Sequence, residues 1–229
     1  VFELGELVEP AELLEELPRD SDSRGHLARG GVDDHVDDLT SQHVRHATQA
    51  AFAMYQDHPF AHLVIGASAE LRGPVESDLH PYLLERLGPT LAVPPSASVD
   101  EIRRAAMEAE AGIASDRERR LVEDLRSTAQ GGGRAVTGLS AVLEASSQRR
   151  VSHLVVSAGY VEPGWRCGSC TRLADVGSVC PTCGASMTAE ENVVAEVVDA
   201  AIMNGSRIDV CLDNADLDVL GRIGAFLRY

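Results

Sequence analysis

The sequence predicts an α/β protein of two domains. Three observations predict it. The chain has 229 residues, room for one large domain or two of roughly 115 residues each. Hydrophobic residues are 44% of it and aromatic residues 4%, a composition with an aliphatic core and unlike that of a disordered chain. Short apolar runs also alternate with helix-period segments, and a strand–helix–strand–helix order points to a parallel sheet with crossover helices.

The elements follow from local pattern. Phe2–Glu15 reads as a strand tail and a short acidic amphipathic segment. The chain starts at Val1 rather than Met, in what reads as a strand, so upstream sequence is expected to have been cut away. Residues 20–35 read as a loop, with three Gly and a Ser/Asp cluster. From Val36 a helix is expected: Leu39, His43, Val44, Ala47, Ala51 and Met54 fall on one face, Asp33, Asp34, Asp37 and Asp38 suit its N-terminal dipole, and Pro59 closes it. His62–Gly66 reads as a buried strand, Val75–Leu87 as a helix kinked at Pro81, and Thr90–Val93 as a second strand. Ser98 and Glu101 form a capping box opening a long helical region to about Ala129, interrupted near Gly112.

Gly131–Gly133 breaks the chain. Thr137–Ser146 is expected to be helical, Ser152–Ser157 a strand, Thr188–Asn204 a helix with Val193, Val194, Val197, Val198, Ala201 and Ile202 inward, and Arg207–Leu212 and Gly224–Tyr229 strands. The expected domains are residues 1–112 and 113–229, with a cysteine-rich insert at about 163–187.

Charge limits the partners. The chain carries −16. Residues 1–112 hold 8 Arg against 21 acidic residues (−13), and residues 113–229 hold 12 Arg against 15 (−3). There is no Lys. Such a surface excludes loose, salt-driven nucleic-acid binding as a general mode, and sequence-specific DNA is not an expected partner. A shaped contact through one loop or one Arg cluster stays open. Arg117, Arg119, Arg120 and the Arg149–Arg150 pair are the densest basic positions. No apolar run approaches the ~18–20 residues of a membrane span and no signal peptide is visible, so no membrane partner and a cytoplasmic location are expected.

Chemistry concentrates in the cysteines. Cys167-x-x-Cys170 and Cys180-x-x-Cys183 stand nine residues apart. Each C-x-x-C turn puts two sulfurs on one side of a tight knuckle, and four thiolates suit tetrahedral zinc. In Cys180-Pro-Thr-Cys183-Gly184, Pro sets the turn and Gly permits a positive φ after it. With four protein ligands no position remains for a catalytic water, so the expected zinc is structural. Binding on the order of 10–16 kcal/mol suffices to fold so small an insert. Cys211, alternating with Ile208 and Val210 in a strand, reads as core. There is no P-loop, no G-x-G-x-x-G and no Ser-His-Asp order, and no catalytic residue is assigned.

The second half resembles a known family. Val136-Thr-Gly-Leu139, the strand at 152–157, Gly164-Trp165-Arg166-Cys167, the two cysteine pairs and the terminal Gly221-Arg-Ile-Gly-Ala-Phe-Leu-Arg-Tyr229 are similar to the C-terminal domain of archaeal peptide-chain release factors. That family includes Pelota and bacterial relatives of archaeo-eukaryotic type. The resemblance implies an RNase H-like release-factor middle domain followed by a Pelota/release-factor C-terminal α/β/α domain with a zinc-knuckle insert. It implies the ribosome as partner, a translational GTPase docked through residues 113–229, and a role in rescue, stress or hibernation. Arg29-Gly30-Gly31 stands where the family has its Gly-Gly-Gln loop, so Arg29, Gly30, Gly31 and Val32 are the candidate ribosome-facing tip. Val32 replaces the Gln, which points to a non-terminating factor. The rival readings are a peptidyl-tRNA hydrolase with a diverged tip and a non-ribosomal adaptor. Kink-turn RNA binding by the second domain would follow from fold analogy alone.

Overall fold

Helix dipoles set where the first long element begins. The computed structural model describes residues 2–3, 6–7, 31–94 and 96–229, with side chains from Leu39 onward. Its first helix, α1, spans Gly31–Asp57. It starts inside the segment 20–35 expected to be a loop, so Gly31 and Val32 are helical. The four aspartates at 33–38 fall in the first two turns, where the positive end of the helix dipole favours carboxylates. Arg29 and Gly30 lie outside the described residues, as does the expected acidic segment up to Glu15 beyond Leu7.

The chain divides into two compact units, Val1–Ile113 and Ala114–Tyr229. In the first, β1 (Phe2–Glu3) and β2 (Glu6–Leu7) pair antiparallel. β3 (Leu63–Ile65) and β4 (Leu87–Thr90) pair parallel, the arrangement expected from the element order. The second strand lies earlier than the expected Thr90–Val93. Between the two strands run α2 (Ala69–Asp78) and α3 (Pro81–Leu84). Pro81 opens α3 rather than kinking a continuous helix. Its missing N–H costs nothing at a first helical position. Thr48 of α1 donates to the Asp78 carboxylate at 2.7 Å, tying α1 to the end of α2.

Helix α4 (Val99–Gln130) opens with the expected capping box: the Ser98 N–H and hydroxyl both donate to Glu101 Oε2 at 2.8 Å. It runs through Gly112 without a break. One glycine costs about 1 kcal/mol in a helix, which the turns on either side absorb.

The second unit is built on a four-stranded mixed sheet in the order β10-β6-β11-β5. Its strands are β5 (Ala135–Thr137), β6 (Val151–Ser157), β10 (Arg207–Cys211) and β11 (Ile223–Leu227). β6 pairs parallel with β10, and β11 pairs antiparallel with both β6 and β5. Helices α5 (Leu139–Ser147) and α6 (Val193–Met203) cover one face through Val142, Leu143, Val193 and Val197 over Leu154, Val156 and Ile223. The end of α4 and the short α7 (Ala215–Val219) cover the other, through Val122, Leu125 and Leu217 over Val155 and Cys211. The result is an α/β/α sandwich.

Four expectations are corrected here. Thr137 lies on β5, not on a helix, because Ala135–Thr137 pairs with Gly224–Phe226. Thr188–Glu190 belongs to β9 (Met187–Glu190), and α6 starts only where the Asn192 side chain accepts from the Val194 and Ala195 N–H groups. Ile202 is exposed instead of inward. The terminal strand ends at Leu227. The short α7, started by Asn214 accepting from the Leu217 N–H, has too few residues to show a helical period.

The cysteine-rich insert is a separate three-stranded antiparallel sheet, β8-β7-β9, with β7 at Gly164–Cys167 and β8 at Leu173–Ala174. It is rooted where α6 approaches β7. A Cβ on Gly164 would lie 2.7 Å from both the Ala174 carbonyl oxygen and the Val193 Cβ. Gly164→Ala is therefore expected to lower stability by about 1–3 kcal/mol through overpacking, read as a lower urea midpoint at unchanged m-value.

Candidate metal centre and its surroundings

The two C-x-x-C segments fold into near-identical knuckles. In the first, the Thr171 N–H donates to the Cys167 carbonyl at 3.0 Å; in the second, the Gly184 N–H donates to the Cys180 carbonyl at 2.9 Å. The residue after each second cysteine has positive φ, Gly184 at 72° and Thr171 at 60°. Glycine takes that conformation freely, whereas a β-branched residue is strained in it. The first knuckle is thus the more strained of the two.

These turns bring four sulfurs together. Cys167, Cys170, Cys180 and Cys183 Sγ atoms all lie within 4.8 Å of one another. Sγ–Sγ separations are 3.5 Å for Cys167–Cys183, 3.5 Å for Cys170–Cys180 and 3.6 Å for Cys170–Cys183. A disulfide needs about 2.05 Å, so none of these is one. Tetrahedral zinc with arms of ~2.3 Å needs sulfurs ~3.8 Å apart. The donor set and its spacing therefore fit a tetrahedral thiolate site. Cys167 and Cys180 are buried at 0% and 2% exposure, while Cys170 and Cys183 face solvent.

Electrostatics separate the four thiols. The Cys170 and Ser169 N–H groups pull the Cys167 thiol below its ordinary range, against burial. Burial pushes the Cys180 thiol up. The N–H groups of Cys183 and Thr182 and the neighbouring thiols outweigh it and bring Cys180 down to about 6. Cys170 has an N–H of Arg172 acting to lower it, but sulfur sharing with Cys167 and Cys180 leaves it pushed up to about 12. Cys183 is raised as well. Without a cation the cluster keeps protons on its exposed pair; a cation replaces them. With all four positions filled by protein, the arrangement can hold structure but offers no vertex for a reacting water.

The lobe is tied back to the sheet domain. Arg166, on β7 next to Cys167, pairs with Glu190 of β9 at 3.1 Å and with Glu196 of α6. Ser140 of α5 donates to Asp175.

Other residues singled out by sequence are dispersed. Asp33, Asp34, Asp37 and Asp38 lie in α1. His43 is half-buried on α1. Cys211 is fully buried apart from the other four, and burial pushes its thiol up to about 11. Arg117 and Arg119 are neutralised by Asp209 and Asp116.

A polar network was not legible in the sequence. His153 Nε2 lies 2.7 Å from Asp209 Oδ2, which also forms an ion pair with Arg207 Nε at 3.0 Å, while Arg117 donates to Oδ1 at 3.3 Å. These partners come from β6, β10 and α4, so no short motif joins them. Burial pushes the Asp209 carboxyl up; the His153 hydrogen bond and the charges of Arg207 and Arg117 outweigh it and hold it below the usual range.

Residues 1–111 match the bacterial archaeo-eukaryotic release factor family 10. These residues belong to the bacterial archaeo-eukaryotic release factors. No curated protein matches it. Solved structures similar to this release-factor-like chain include the C-terminal domain of the peptide chain release factor from Methanosarcina mazei. That match has 20% identity over 60% of this chain and 98% of that one, at a TM-score of 0.40. Archaeoglobus fulgidus Pelota matches at 15% identity over 80% of this chain and 53% of its own, TM-score 0.44. S. cerevisiae Dom34, described as a translation termination-like factor interacting with Hbs1, matches at 11% identity over 83% of this chain and 53% of its own, TM-score 0.49. The chain spans about half the length of the Pelota and Dom34 chains it matches.

Two outcomes test the site. Chelation, or Cys180→Ser, is expected to open the lobe between residues 167 and 187 to protease while β6 amides stay protected from hydrogen exchange, because the sheet has its own core. Asp209→Asn is expected to cost about 1.5–3 kcal/mol at neutral pH, the range for hydrogen bonds to a charged group. A carboxyl depressed in the folded state stabilises above its unfolded pKa of about 3.9 and loses that contribution as pH falls through the folded value. The gap between wild type and variant in urea melts should therefore close in acid below about pH 4.

Proposed function

We propose that the protein is a ribosome-associated translation factor of release-factor/Pelota type that does not terminate translation. The carrying observation is the release-factor family match over residues 1–111. In this reading residues 1–112 are the family's RNase H-like middle domain, and the tip is Arg29-Gly30-Gly31-Val32. A terminating factor needs a polar side chain beside its glycines to place water against an ester. Val32 has neither donor nor acceptor, and Asp33, Asp34, Asp37 and Asp38 follow it. Carboxylates beside the tip are repelled by phosphate-lined RNA, which weighs against productive insertion into a peptidyl-transferase site. The role is occupancy of the A site during rescue, stress or hibernation in the cytoplasm, with no catalytic residue.

Residues 113–229 serve in this reading as the docking module for a translational GTPase; their near-balanced charge suits a protein surface better than the −13 of residues 1–112. The four-thiol cluster holds structural zinc. Sulfur-only donors and spacings of 3.5–3.6 Å support zinc over harder cations.

Sedimentation and release assays test the reading. The natural full-length protein is expected to co-sediment with 70S ribosomes at physiological salt and to release no peptide from stalled complexes above background. Failure to co-sediment would remove the ribosomal role. Release that is abolished by Gly31→Ala would replace it with peptidyl-tRNA hydrolysis.

A further inference from the structure

Four cations of the second unit gather at one end of its sheet. Arg134 precedes β5, Arg228 follows β11, and Arg149–Arg150 precede β6. β11 runs antiparallel to both neighbours, so these residues meet at the same end of three adjacent strands. Hydrogen bonds fix the meeting. The Leu227 N–H donates to the Arg134 carbonyl and the Arg228 N–H to the Arg150 carbonyl, both at 2.8 Å. Arg134 Nη1 donates to the Arg228 carbonyl at 3.2 Å. Arg150 Nε and Nη2 donate to the Tyr229 main-chain oxygen at 3.1 and 2.8 Å. Arg228 Nε and Nη2 donate to the Val151 and Asn204 carbonyls at 3.0 and 2.7 Å.

Among the described residues none of these four guanidiniums pairs with an Asp or Glu side chain. Elsewhere in the unit Arg117, Arg119, Arg126, Arg166, Arg207 and Arg222 do, while Arg120 and Arg172 stand apart from one another without such a pair. On neighbouring β10 the Asp209 carboxylate is already held by His153 and Arg207. Arg134, Arg149 and Arg228 are exposed and Arg150 is half-buried. Strand ends lie ~4.8 Å apart, so the cations span roughly 10 Å. Beside them Tyr229 is 66% exposed, with the Arg150 guanidinium 5.9 Å from its ring centroid.

We infer that this arginine end of the sheet, Arg134, Arg149, Arg150 and Arg228 with the Tyr229 ring, is a contact site for the phosphate backbone of single-stranded or looped RNA. This rests on the ribosomal reading and specifies a surface for it. Guanidinium forks match phosphate oxygens bidentately; Arg134 and Arg149 can do this, while Arg150 and Arg228, whose nitrogens are held within the fold, add charge. An exposed aromatic ring beside cations is a platform for an unstacked base. The chain's −16 charge does not oppose this, because the Debye length is about 8 Å at physiological ionic strength and the local cluster governs the contact. A protein partner would be expected to seat on a patch with an apolar centre. This end instead has the arginines at its centre, and the exposed Ile202 and Met203 lie only at its margin, before the Asn204 that holds Arg228.

Fluorescence anisotropy of the full chain, with a labelled single-stranded RNA of about 12 nucleotides as probe and a polyglutamate peptide of similar length for comparison, tests the site. The double variant Arg134→Gln/Arg149→Gln spares the side-chain bonds of Arg150 and Arg228, and circular dichroism checks its fold. Wild type is expected to bind RNA more tightly than polyglutamate, with log K falling linearly against log salt between about 50 and 200 mM. The double variant should bind about tenfold more weakly at the lower salt, and its slope should be shallower by about 1.4, roughly 0.7 for each phosphate no longer neutralised. The proposal is overturned if wild type shows no RNA binding at the lower salt, if the folded double variant keeps affinity and slope, or if polyglutamate binds more tightly. Arginine-dependent RNA binding by a chain that fails to sediment with ribosomes would uphold the site and overturn only the ribosomal reading.

Discussion

Four sulfur atoms confined within 4.8 Å of one another impose the constraint on which the small lobe depends. Thiolates that close repel, so the cluster either keeps protons or shares a cation. The lobe has little else to hold it: its core is Cys167, Cys180 and Met187 with a fringe of Trp165, Ala174 and Ala185. Two of the ligands are therefore also core residues. The backbone N–H groups that favour the thiolate forms of Cys167 and Cys180 come from the knuckles themselves, so chain geometry and ligand charge are one device.

That lobe stands on a domain organised around β6. Residues Leu154 and Val156 face α5 and α6, Val155 faces α4, and both edges of the strand are paired. Alternation along one strand thus feeds two cores. The same alternation places His153 beside Asp209 on the α4 side, where the two half-buried polar groups satisfy one another. At the start of β6 the apolar pattern stops and the arginines begin.

The sequence read well where one residue type has a local job. The cysteine spacing, the Ser98–Glu101 box and the runs at 151–157 and 207–211 each carry their own signal. It read poorly where pairing across the sheet decided the outcome. Val136 and Thr188 sit in segments with helix-compatible periods, yet both are strand residues because Ala225 and Arg166 lie opposite them. The start of α1 is hidden because three Gly and a Ser/Asp cluster read as a loop, while the aspartates beyond Gly31 suit the first turns of a helix. The His153–Asp209–Arg117 network joins residues as far as 92 positions apart, which no local motif encodes.

Zinc-edge X-ray absorption on the purified full-length protein tests the central claim most directly. The account predicts one zinc per chain with four sulfur neighbours at ~2.3 Å and no light-atom ligand. A protein without tightly held metal, or a shell containing oxygen or nitrogen, would contradict it.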